Sequence, residues 1–204
     1  MKEKVMHVVF AVAALTSILA VALICVFLFA NGLPAILKVG PAAFLGGTTW
    51  KPTASVPQFG ILPMIVGSIY VTAGAIVAGV PVGILTAIFL AFYCPKHLYK
   101  PLKSATELLA GIPSVVYGFF GLVLLVPFIR EHIGGKGQSI LAASILLGLM
   151  ILPTIIGVSE SALRAVPGSF YEGAVALGAT HEEAIFRTVL PAAKSGVMAG
   201  VILG

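Results

Sequence analysis

The chain has 204 residues, 59% of them hydrophobic and 9% charged, with a formal net charge of +5. So little charge, against roughly 25% in ordinary soluble domains, excludes a water-soluble globular fold as its main state. The seven acidic residues are all glutamates, and they and the twelve basic ones lie almost entirely between apolar runs, with no clustered basic face of the kind nucleic acid requires.

The first run, residues 5–30, is uncharged and follows Lys2 and Lys4. A signal-peptide core is about 7 to 15 residues, whereas a span needs about 20, so length predicts a retained spanning helix. Residues 31–60, rich in Pro, Gly and Thr, form a polar connection, and its Gly46-Gly47-Thr48-Thr49-Trp50 stretch suits an outer loop near the interface. The second run, 61–93, exceeds the length a span requires; it is expected to tilt, to kink at Pro81 or to begin with an interfacial turn. Ser68, Thr72, Ala75, Gly79, Gly83 and Thr86 recur at three- and four-residue steps along it. Such a stripe lets helices approach closely in lipid, and Gly79 with Gly83 has G-x-x-x-G spacing, so helix packing is favoured over pore lining.

A basic segment from Pro95 to Glu107 carries Lys96, His97, Lys100 and Lys103. A third span over 108–129, a turn over 130–138 and a fourth span over 139–158 follow. After a polar stretch, 159–191, the apolar run 192–204 is thirteen residues long. That is too short for a hydrocarbon core about 30 Å thick, so the chain is expected to stop inside a fifth span. The architecture expected is therefore all-α and polytopic, four full spans plus a partial fifth in a single transmembrane domain. Counted over alternate connections, Lys and Arg number eight on the side of the N-terminus and four on the other. This predicts a cytoplasmic N-terminus and places 159–191 in the cytoplasm.

Catalytic signals are missing. Gly135-Lys136 lacks the upstream glycine and the following hydroxyl of a phosphate-cradling loop. His181-Glu182 opens like a zinc-protease helix, but Ile185 stands where the second histidine belongs, and Cys25 and Cys94 have no ligand spacing. No metal, cofactor or enzymatic role is expected. The spans also carry no carboxylate, histidine or basic group at mid-helix, the usual mark of an ion-coupled carrier.

Three copies of one device stand out: Ser104-x-x-Glu107, Ser169-x-x-Glu172 and Thr180-x-x-Glu183. Each matches the capping box, in which a hydroxyl and a carboxylate three residues on satisfy orphaned backbone N–H groups at a helix start. Gly178, between the second and third, sits where a helix must stop and reverse. Residues 169–191 thus read as helix, tight turn, helix, with Pro191 ending or kinking the second helix. Ala174 and Leu177 share a face and are expected to pack on that second helix, and Glu160 and Arg164 to pair on an exposed surface. A hairpin tied at both ends to spans suits docking and mechanical coupling; shielding of the membrane face is the alternative.

Glu172-Gly173-Ala174, then Gly178, then Leu190-Pro191 resemble the EAA signature of ABC-importer permeases with its full spacing. Gly173 replaces the usual alanine and Thr188 the usual isoleucine. The stretches ELLAGIPSVVYGFFG at 107–121, ILPTI at 151–155 and SESALRAVP at 159–167 narrow the resemblance to PstC-type permeases of the phosphate-specific importer. It covers roughly residues 61–204. It implies a type I ABC importer (MetI-like) transmembrane domain in the bacterial inner membrane. Its partners would be ABC ATPase subunits, a second, PstA-like permease subunit, a periplasmic phosphate-binding protein and the lipid bilayer, with ATP hydrolysed by the ATPases alone. Glu172, Ala174, Gly178, Leu190 and Pro191 are then the ATPase-coupling residues. Ser114, Tyr117 and Thr154, beside helix-breaking prolines, either donate to a passing oxyanion or serve packing. Another oxyanion, sulfate or molybdate, and a passive channel or structural subunit are the competing readings.

Overall fold

The computed structural model describes residues 2–204, with side chains from Val5 onward. Two units are distinguished, residues 1–66 and 67–204. In the first, α1 runs Lys2–Val39, followed by α2 (Pro41–Gly46) and a ribbon of β1 (Trp50–Lys51) paired antiparallel with β2 (Gln58–Phe59). The helix continues nine residues past the expected end at Ala30, through Pro34. Asn31 is accommodated within it, its amide donating to the Phe27 carbonyl at 2.8 Å. The supposed loop is thus partly helix, and Trp50 and Phe59 meet edge to face across the ribbon at 5.8 Å.

α3 (Leu62–Ile88) leads into the second unit and passes Pro81 without a break; the irregularity comes later, as a π-helical turn at Phe89–Tyr93. α4 (Lys96–Gly111) follows, then α5 (Ser114–Phe120), a π turn at Gly121–Leu125, and α6 (Val126–His132). α7 is a continuous helix, Ile140–Arg164, whose N-cap Ser139 accepts from the Ala142 N–H at 3.3 Å. Among the described residues four segments can span a membrane by length and apolarity, Val5–Val39, Leu62–Tyr93, Ser114–His132 and Ile140–Arg164, and the bent pair His181–Ala192 and Lys194–Leu203 makes a fifth if counted as one. The third therefore begins at Ser114 rather than at Leu108. Pro113 cannot continue the preceding helix, so Leu108–Gly111 belong to α4.

α3 and α7 pack through the small-residue stripe, though not through all of it. Ala75, Gly79 and Gly83 are buried, whereas Thr72 is exposed and Thr86 turns its hydroxyl back to the Val82 carbonyl at 2.7 Å. A Cβ at Gly79 would meet Ile151 Cδ1 at 2.9 Å, and one at Gly83 would meet Ile155 Cγ2 at 2.7 Å. Glycine is what lets α7 seat Ile151 and Ile155 against the α3 backbone.

Candidate functional site

The segment after α7 begins where Pro167 ends one helix and starts the next. α8 spans Gly168–Ala176 with Pro167 as its N-cap, and no side chain caps it. Ser169 thus lies inside the helix, and the box expected with Glu172 does not form, because Pro167, already preset to helical φ, fixes the start two residues earlier. Ser104 with Glu107 fails similarly: both lie in the body of α4, which starts after Pro95.

The end of α8 is a Schellman motif. Gly178 takes φ +92°, its N–H donates to Val175 O at 2.9 Å, and Ala179 N–H reaches Ala174 O at 3.1 Å. Thr180 then caps α9 (His181–Ala184): its Oγ1 accepts from Glu183 N–H at 3.3 Å while Glu183 Oε2 accepts from Thr180 N–H at 3.2 Å, the reciprocal box. A π turn at Ile185–Val189 and the short α10 (Leu190–Ala192) carry the chain to a 70° bend before α11 (Lys194–Leu203). Pro191, lacking an N–H, leaves the ladder broken next to that bend.

Two contacts hold this hairpin on the spans, and a third braces it internally. Ile185 and Val189 are buried in one cluster with Ala87, Ile88, Leu163, Ala193 and Val197. Tyr171 and His181 bridge the two hairpin helices, Oη to Nδ1 at 2.8 Å. The His181 ring also meets Tyr93, at the end of the second span, edge to face at 4.9 Å. His181, which sequence reasoning weighed only as a failed zinc ligand, is the side chain joining hairpin to span. Its signal was the aromatic residues at 93 and 171, which no spacing rule connects.

Of the residues that the resemblance assigns to ATPase coupling, Ala174 and Gly178 line a shallow groove of about 400 Å³ with Leu177, Glu183 and Arg187. Leu177 is not packed on the following helix: at 92% exposed it stands free at the hairpin tip, because the Schellman turn carries the chain away from its face. Glu172 and Pro191 are exposed and Leu190 is half-buried, all outside the groove. Tyr117 donates to the Leu109 carbonyl at 3.0 Å, stapling the break at Pro113. Ser114 opens α5 in an exposed position, and Thr154 is half-buried beside buried Pro153. No hydrogen bond among the described residues joins these three hydroxyls.

Glu160 departs furthest from expectation. Rather than lying on an exposed surface it is 1% exposed, and it accepts from Lys103 Nζ at 2.7 Å, Tyr99 Oη at 2.7 Å and Arg164 Nε at 2.9 Å. Arg164 in turn donates to the Leu90 carbonyl at 2.8 Å and lies over the Tyr99 ring. One carboxylate therefore ties α4 to α7, with Arg164 adding the end of the second span. Donation to that carboxylate, with burial and the Glu160 charge adding, pushes the Tyr99 phenol above its ordinary value.

These elements define a class: a polytopic helical membrane subunit that carries a compact helical hairpin between its fourth and fifth apolar segments. Residues 79–204 match the family described as binding-protein-dependent transport system inner membrane component, and the chain belongs to that family. It is 45% identical over 194 residues to the probable ABC transporter permease protein YqgH of Bacillus subtilis, covering 94% of this chain and 63% of that protein. It is 33% identical over 221 residues to the phosphate transport system permease protein PstC of Mesorhizobium japonicum, covering 98% and 67%. The chain thus spans about two thirds of the length of these curated relatives. The fold is shared with a chain of the inward-facing MetNI methionine ABC transporter, at TM-score 0.52 and 24% identity over 70% of this chain and 65% of that one.

Proposed function

We propose that this protein is a translocating subunit of an ATP-driven importer whose cargo is inorganic phosphate. The observation that carries the reading is the hairpin, a rigid, doubly capped turn with an exposed apolar tip, anchored to the ends of two spans. An ATPase subunit that received Leu177 in a surface pocket would press on a body that cannot bend independently at Gly178. Displacement would pass through Tyr171, His181 and Tyr93 to the second span, through Ile185 and Val189 to the core, and across the bend into α11. Paired permease subunits moved this way by closing ATPases would alternate access to a central path. Within this reading the chain hydrolyses nothing. Its partners are a pair of ABC ATPases, a second permease subunit and a periplasmic phosphate-binding protein, and the N-terminus and hairpin are cytoplasmic.

Phosphate is supported by the PstC relatives. The Bacillus relative's name gives no cargo, so cargo is the finer part of the proposal. The coupling test is co-purification with the cognate ATPase. Gly178→Val, which forces a β-branched residue to positive φ, and Leu177→Asp should each abolish association, while Ser169→Ala, which removes no cap, should leave it intact. Undiminished association of both hairpin variants would overturn the reading. Uptake by the complete assembly of labelled phosphate in preference to sulfate tests the cargo.

A further inference from the structure

We propose that Arg164 is a positioning residue for coupling, the clamp that makes the ends of the second and fourth spans move as one body when the hairpin is pushed. This rests on the reading of the hairpin as the ATPase contact and deepens it. The need for a clamp begins with a stranded carbonyl. The second span ends in the π turn Phe89–Tyr93, where Cys94 N–H closes on the Phe89 carbonyl at 2.8 Å. The next donor in that ladder belongs to Pro95, which has no N–H, so the ladder supplies nothing to the Leu90 carbonyl. Leu90 is 2% exposed, and a backbone carbonyl in so apolar a setting costs free energy unless it is paired. Arg164 pairs it. Nη2 donates to the Leu90 carbonyl at 2.8 Å, while Nε of the same guanidinium donates to Glu160 at 2.9 Å.

The two spans joined in this way are the two to which the hairpin is fastened. α7 ends at Arg164, and only Ala165 and Val166 separate it from Pro167, the N-cap of α8. On the side of the second span, Ile88, Ala91 and Phe92 pack in the cluster that holds Ile185 and Val189, and Tyr93 meets the His181 ring. Leu90 lies within that stretch. Without the guanidinium bridge a push on the hairpin would load the two spans through separate contacts, and either could yield alone. With it they are displaced together.

Tyr99 and Lys103 bind the same Glu160 carboxylate from α4, so they brace α7 without reaching Leu90. The bridge also needs the shape of arginine. A planar fork directs two N–H groups at two acceptors on different helices, whereas the compact ammonium of lysine is drawn to the carboxylate and leaves the carbonyl unpaired.

The test uses the complete assembly in vesicles, this chain with its second permease subunit, ATPases and binding protein, and measures labelled phosphate imported per ATP hydrolysed. Loss of folded or assembled complex lowers uptake and hydrolysis together, so a merely structural role for Arg164 leaves that ratio at the parent value. Arg164→Lys should lower it about fivefold or more, the low end of what a coupling between two sites carries. Arg164→Gln, neutral and too short to reach both acceptors, should fall at least as far, so the result does not hang on the folding of one variant. Lys103→Met, which strips a donor from the same carboxylate but leaves Leu90 paired, should keep the parent ratio. Ratios for R164K and R164Q equal to the parent's, or an equal fall in K103M, would overturn the role given to Arg164 and leave the importer reading standing. A parent assembly without ATP-dependent uptake would overturn both.

Discussion

Replacing Glu160 by alanine tests the most consequential buried contact in the helical core. The substitution removes an acceptor from Lys103, Tyr99 and Arg164 at once and leaves two cations facing an emptied site. Breaking a fully buried ion pair by deleting one partner costs about 3–5 kcal/mol. Here the low end applies, because the Lys103 and Arg164 side chains are 25% and 45% exposed and can recover part of their hydration. Tyr99, half-buried, loses its acceptor as well. An expected loss of about 3 kcal/mol corresponds to a fall of about 6–12 °C in midpoint for a chain of this size.

The assay is heating in detergent followed by gel filtration, with Trp50 fluorescence reporting the monodisperse fraction. Because membrane proteins often unfold irreversibly, the midpoint is operational and is compared only at a fixed heating rate. A double-mutant cycle supplies the mechanism: Lys103→Met should cost clearly less in the Glu160→Gln background than in the parent. A midpoint for Glu160→Ala within about 2 °C of the parent would refute the argument that this carboxylate holds α4 on α7. So would strict additivity of the Lys103 and Glu160 variants.

Thr180→Ala should destabilise the hairpin locally by about 1 kcal/mol and speed hydrogen exchange at the Glu182 and Glu183 amides, while Ser169→Ala changes neither. Gly79→Leu should lower the midpoint by overfilling the α3–α7 contact, a cost of about 1–3 kcal/mol, and Ile151→Ala should restore part of it. For Tyr99 the sign follows from its raised phenol. The stabilisation is complete below the ordinary tyrosine value of 10.0 and fades as pH rises through the higher folded value, so heat resistance should fall at alkaline pH and Tyr99→Phe should flatten that decline.

How far the sequence could be read depended on whether the deciding interaction was local. Apolar runs located every span, since run length is a property of the chain alone, and Gly178 and Thr180 were legible because a left-handed turn and a capping box are completed within a few residues. Span ends were not. Pro34 and Pro81 sit inside continuous helices while Pro113 and Pro167 begin new ones, and the local rule for proline is the same at all four positions. The two failed boxes show the same limit, because S-x-x-E states what a helix start can use without stating that a helix starts there.

Glu160 and His181 were misjudged for a deeper reason. Each was weighed against its neighbours in sequence, Glu160 with Arg164 four residues on and His181 with the missing ligand at 185. Glu160 does pair with Arg164, but its other partners are distant: Lys103 lies 57 residues away, and Tyr93 reaches His181 only after the second span, α4 and two further spans have been placed. A polar residue in an apolar chain has few ways to be satisfied, and where a helix end is buried against others those ways are long-range. The same logic locates mechanical importance. The turn and cap of the hairpin are built from local signals, whereas the contacts that fasten it to the spans are non-local. Under the proposed function, His181→Ala, which removes the Tyr93 contact and the Tyr171 hydrogen bond but neither the Gly178 turn nor the Thr180 cap, should lower uptake more than ATPase co-purification, and an equal loss of both would refute this.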